Sequence, residues 1–149
     1  MPCAFCGARI RWTNSHSLAG NTGRICGPCN GRFQGVNLNP NAIGYTPLEG
    51  NPAILLAGVF QNFQFSGAEV NAIVAASNQA AGNAENIWGL GFAASHHTIP
   101  HSNIVVVYTR QGGQAGGITV YAMGRHTGRH GNDEYHILRS NGRAIRATR

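Results

Sequence analysis

The sequence contains no lysine, and its charged residues make up only 11% of 149 positions, less than half of the roughly 25% usual for a soluble domain. Little charge together with 21 glycines is a composition that can leave a chain disordered. The apolar blocks at 54–60 and 104–107 argue otherwise, because they supply a core. No apolar run reaches the roughly 18–20 residues of a membrane-crossing helix. The opening residues, Met1-Pro2-Cys3, lack the basic and apolar regions of a secretory signal, so a reducing, cytoplasmic setting is expected. The pattern also excludes a coiled coil, a collagen and a disulfide-laced mini-protein.

What charge there is has a sign and a distribution. All 11 cations are arginine, and the formal net charge is +6. Residues 1–33 hold Arg9, Arg11, Arg24 and Arg32 without an acid, and residues 110–149 hold seven Arg against Asp133 and Glu134. Between them lie only Glu49, Glu69 and Glu85. Basic ends around a faintly acidic middle suit a polyanion, RNA above all, with no membrane partner. Arg125, Arg139, Arg143 and Arg146 are the candidate phosphate contacts, with Tyr121 and Tyr135 to position base or phosphate.

The four cysteines follow Cys3-x2-Cys6-x19-Cys26-x2-Cys29, with none left over. A two-residue spacer lets both thiolates of a pair reach one tetrahedral ion, so one structural zinc is expected. Cys26-Gly-Pro-Cys29 also has the form of a redox dithiol, but it lacks the preceding strand and long following helix of that motif. The segment resembles a zinc ribbon or a treble-clef knuckle pair, which implies a small metal-held module and no chemistry of its own. Arg9–Trp12 reads as a short strand, 13–24 as a loop containing a solvated His16, and 30–35 as one helical turn. The resemblance to treble-clef nucleases of the HNH type stops at Asn14, His16 and Asn30, since the spacing is too short for their catalytic hairpin. No His/Cys-x-Glu precedes a Pro-Cys-x-x-Cys, which excludes a zinc nucleobase deaminase.

Asn, Pro and Gly crowd 36–51, which reads as a linker. Asn51-Pro52 reads as a helix start, with Leu55, Leu56, Val59, Phe60 and Phe63 at helical spacing. A second helix begins at the Ser66/Glu69 capping box, turns Val70, Ile73, Val74 and Ala81 inward, and stops near Gly82. From residue 104 the pattern becomes β-branched: strands at 104–108 and 118–121, then 135–139 and 144–147 about the Asn141-Gly142 turn. The expectation is an α+β chain: a zinc ribbon over 1–35, a linker over 36–51, and over 52–149 two helices packed on a four-stranded antiparallel sheet.

Six of the seven histidines lie between 96 and 136. His96, His97 and His101 precede the first strand; His126, His130 and His136 surround the third, with Arg125 and Arg129 among them. Paired imidazoles beside guanidinium are what metal-free phosphodiester cleavage requires: one takes the 2′-OH proton, the other protonates the leaving oxygen, and Arg binds the phosphorane. The stretch His130-Gly-Asn-Asp-Glu134-Tyr135 resembles the active-site stretch of the cytotoxic colicin nuclease domains that cut ribosomal RNA. That resemblance implies acid–base roles for His130 and Glu134. It covers about twenty residues, and it departs where the family carries an acid and this chain carries Thr127. The order of helices then sheet also resembles the small toxin ribonucleases of the barnase and RelE type. The expected activity is therefore a toxin-type endoribonuclease with His130, Glu134, Arg129 and His126 at its core, joined by His97 or His101. It would leave a 2′,3′-cyclic phosphate and be held in check by an acidic immunity or antitoxin protein. Two other readings stand beside it: a non-catalytic zinc-ribbon adaptor for nucleic acid or protein, and a histidine metal site on the sheet.

Overall fold

The computed structural model describes residues 2–17, 23–33, 45–48, 54–79, 84–100, 102, 104–110, 117–127 and 133–148. Two helices and nine strands lie within them. At the N-terminus the first cysteine pair sits in a tight knuckle, closed by the Cys3 amide donating to the Ala8 carbonyl at 2.7 Å and the Gly7 amide to the Cys3 carbonyl at 2.9 Å. Gly7 takes φ +77°, a conformation natural only to glycine. A short hairpin follows, β1 (Ser15–Ser17) with β2 (Arg24–Cys26), and then helix α1 (Gly27–Phe33). The second cysteine pair is thus split between a strand end and the first turn of a helix, where Pro28 fits without losing a needed donor. Knuckle, hairpin and helix follow one another along the chain and bring the two cysteine pairs together. Strand β1 begins after Trp12, and His16, expected in a solvated loop, lies half-buried on it opposite Ile25.

The remaining strands form one seven-stranded sheet rather than four strands. Its strands are β3 (Tyr45–Leu48), β4 (Ile54–Ala57), β5 (Ser95–Thr98), β6 (Ile104–Arg110), β7 (Ile118–His126), β8 (Glu134–Arg139) and β9 (Ala144–Thr148). Strand β7 is central. It pairs antiparallel with β6 along its length, parallel with β4 over 118–120, and antiparallel with β8 over 122–126. The β6–β7 register shifts at Val107/Tyr108, leaving Tyr121 as the extra residue of a bulge. The helix expected from residue 52 is instead β4 followed by a 3-10 turn at Gly58–Phe60. A short unbroken apolar run satisfies either period, and sheet pairing on both sides decides for the strand. Part of the expected linker also enters the sheet as β3, an edge strand whose Pro47 needs no donor. Residues 51–53 and 111–116 lie outside the described residues.

Helix α2 (Gly67–Gln79) forms as the capping box predicts. The Ser66 amide donates to Glu69 Oε1 at 2.9 Å, and the Glu69 amide to Ser66 Oγ at 3.2 Å. Ile73 is fully buried, Val70 and Val74 pack partly against the core, and Ala81 lies outside the described residues.

Two hydrophobic clusters cover the two sheet faces. The larger joins the cysteine module to the sheet through Phe5, Phe33, Phe60 and Phe63, whose ring centroids stand 5.0–6.1 Å apart in successive contacts. The smaller holds Trp88, Ala94, Val105, Val107, Ala122, Tyr135 and Ile137. Residues 85–94 form a loop over that second face, closed at its base by reciprocal Glu85–Ala94 amide bonds of 2.9 Å.

Candidate functional site

The four cysteine sulfurs lie within 4.8 Å of one another, a donor set able to hold one metal ion. Cys6 is exposed and the other three are buried. The amides of Cys6 and Cys26 both point at Cys3 Sγ, at 3.4 Å, as outer-shell donors to a ligating thiolate do. The Cys3 thiol is drawn down to about 4, chiefly by a hydrogen bond from Cys29, whose own thiol is pushed up by the same bond. Four sulfurs this close cannot all ionise unaided; a bound cation relieves that conflict. The donors fit such an ion.

The module is fastened to the sheet by side chains that bond the knuckle's backbone. Arg125 Nη1 donates to the Cys6 carbonyl at 2.9 Å, and His136 Nε2 donates to the Ala4 carbonyl at 2.6 Å. A Cβ on Gly7 would sit inside the Arg125 guanidinium, so the knuckle glycine is needed for this contact as well as for its turn. Arg125 therefore works in the architecture, whereas the sequence pointed only to phosphate contact.

On the opposite face, two histidine groups distant in sequence meet on one tyrosine. Tyr135 is 4% exposed. Its hydroxyl stands 3.2 Å from His96 Nε2, and His96 Nδ1 stands 3.4 Å from Glu85 Oε1. A carboxylate at Nδ1 selects the tautomer with the proton there, leaving Nε2 to accept from the tyrosine hydroxyl. The His126 ring lies against the Tyr135 ring at 4.7 Å, and its Nε2 is 3.4 Å from Asp133 Oδ1. Trp88 backs the group, 5.2 Å from His96 and 5.3 Å from Tyr135, with its indole N–H on the Ala94 carbonyl. Register explains the meeting: His126 is directly opposite Tyr135 in the β7–β8 ladder, and His96 opposite Val107 projects to the same face.

His126 also lines a cavity of about 420 Å³ between the knuckle, the β5–β6 connection and the end of β7, with Phe5, Cys6, Thr98 and Arg125 among its walls. Arg125 Nε is buried there without a partner. A larger cavity of about 790 Å³ lies by Arg32, Phe65 and Glu69, but Glu69 is engaged by Arg32 and the helix cap, and no histidine among the described residues lines it. Of these two cavities, the smaller is the one that His126 lines.

His97 lies on β5 opposite Val106 and projects to the cysteine-module face; burial lowers its pKa and favours the neutral ring. Glu134 alternates with Tyr135, so it faces away from His126, and it accepts from Arg146 Nη1 at 2.8 Å. Arg139 Nη1 donates to the Gly89 carbonyl at 2.9 Å. Tyr121 accepts from Thr109 Oγ1 at 3.5 Å and meets Phe92, while Arg143 is exposed at the β8–β9 turn. His101, Arg129 and His130 lie outside the described residues. Among the described residues the cysteines form the metal-capable group, and no histidine cluster does so. Residues missed in the sequence are Glu85, Trp88 and the partnering role of His96. Only strand register, which puts His96 and His97 on opposite faces, could have separated that pair.

No protein-family model matches the chain, and searches of curated proteins and of solved structures find no significant match.

Proposed function

We propose that this chain binds RNA and cleaves it by general acid–base chemistry of its own side chains, on a fold stapled by one zinc ion at Cys3, Cys6, Cys26 and Cys29. The observation that carries the reading is the convergence of His96 and His126 on Tyr135, with His126 also lining a cavity that Arg125 lines. Such titratable groups with named partners beside a cleft are the usual material of an active site. His126, with its side chain 39% exposed, takes the 2′-OH proton. The resulting O2′ attacks phosphorus, and the 5′-oxygen leaves with a proton from His130, four residues further along the chain. Cyclic phosphate and a 5′-hydroxyl are the products. Glu85, His96 and Tyr135 hold the His126 ring in place. Zinc has a structural part only. A toxin with such an activity would need an acidic immunity partner to cover its basic surface.

The test is incubation of purified, zinc-loaded protein with RNA, after brief EDTA treatment that leaves the cysteine-bound metal in place. Cleavage with 2′,3′-cyclic phosphate ends is expected, and His126→Ala lowers it by about a hundredfold or more while RNA affinity stays within a few-fold. An absence of cleavage, or an undiminished His126→Ala, leaves the non-catalytic adaptor in its place.

A further inference from the structure

The loop over the second sheet face ends in an aromatic side chain that it does not bury. Phe92 is 40% exposed and is the one exposed large apolar side chain among the described residues. The loop that carries it is firmly held. Trp88 plugs its base at 0% exposure with its N–H on the Ala94 carbonyl. Paired Glu85–Ala94 amide bonds close it, and Arg139 grips the Gly89 carbonyl near its tip. Gly89 and Gly91 take φ +68° and +83°, supplying the turns that bring Phe92 onto Tyr121, ring centroids 4.9 Å apart and planes at 72°. A loop serving only to cover the sheet would turn its largest tip side chain inward; this one is braced to present it.

The surroundings say what the pair would meet. Arg139 lies beside it, and the exposed Arg143 follows in the turn whose Ser140 amide donates to the Tyr121 carbonyl. Tyr121 and His126 lie on one strand, about 17 Å apart at the strand rise, a span that an extended polynucleotide strand covers in a few nucleotides. Aromatic faces flanked by guanidinium are how proteins hold unpaired bases, which stack where paired bases cannot. We propose that Phe92 and Tyr121, with Arg139 and Arg143, form a base-stacking subsite for single-stranded RNA remote from the reacting phosphate. The inference rests on the RNA reading above and names the strandedness of its substrate.

Binding is measured with the full-length, zinc-loaded His126→Ala protein, whose cleavage is lowered by about a hundredfold or more. The probes are a mixed-sequence oligoribonucleotide and the same sequence as a duplex. Phe92→Ala is expected to weaken the single strand by roughly tenfold, to leave duplex affinity and the salt dependence of binding unchanged, and to be rescued by Phe92→Trp. Equal binding of single strand by Phe92→Ala and its parent overturns the subsite, as does an equal loss for single strand and duplex, or no RNA binding at all. If single strand binds through Phe92 while the parent cuts nothing, the subsite stands and the cleavage reading falls. If RNA is cut with no dependence on Phe92, the reverse holds.

Discussion

The two faces of the sheet are built from different material. One is welded to the cysteine module by phenylalanines at 5, 33, 60 and 63. The other combines Trp88 with small residues, Ala94, Ala122 and Ala147, and admits imidazole, phenol and carboxylate groups between them. Large rings on the first face join the module to the sheet, and titratable groups there make structural bonds, as with His136 on the Ala4 carbonyl. Small residues on the second leave space for a loop, a cluster of interacting rings and an exposed histidine. On β7, Arg125 and His126 are neighbours that project to opposite faces, and both line the cavity beside the knuckle.

The largest expected effect bears on the first face. Because Cys3, Cys26 and Cys29 belong to the same core cluster as Phe33 and Phe60, removing the metal should cost the whole fold about 5 kcal/mol or more. Metal analysis should find one zinc per chain, and Cys26→Ser or prolonged chelation should lower the melting temperature of the sheet signal in circular dichroism. A chain that melts unchanged without metal, or that carries two disulfides, would show the faces to be independent.

A smaller effect sharpens the same contrast. Burial alone would raise the Glu69 carboxyl, but the Ser66 amide and Arg32 outweigh it and hold it below its ordinary 4.5. A depressed carboxylate stabilises the fold above its unfolded value, and that contribution is lost as pH falls through the folded value. Stability should therefore decline in acid below about pH 4.5. Glu69→Gln should cost about 1–2 kcal/mol at neutral pH and flatten the decline. An unchanged acid limb in urea titrations at stepped pH would remove Glu69 from the account.

Parts of this organisation were legible in the sequence. The cysteine spacing announced its cluster because ligand geometry is local, and the Ser66/Glu69 box announced α2 because capping is local. The four C-terminal strands followed from β-branched runs and the Asn141-Gly142 turn, where Gly142 takes φ +85°. The failures involve partners distant in the chain. Ile54–Ala57 became a strand because β3 and β7 supplied edges on both sides. His96 joined Tyr135 because β6 and β7 bring β5 and β8 within side-chain reach, and the residues between 97 and 134 carry no mark of it. The loop that supplies Glu85, Trp88 and Phe92 has no period of its own, so its anchoring role emerged only with the sheet beneath it.

The central claim is that His96 and His126 work as one unit through Tyr135. A double-mutant cycle on RNA cleavage tests it directly, with His96→Ala, His126→Ala and the pair compared in kcat/KM. Groups in one catalytic unit lose their shared function once, so the double variant should be about as slow as the slower single variant. Losses that multiply, or a His96→Ala rate equal to the parent's, would contradict the claim and return the cluster to the core of the fold.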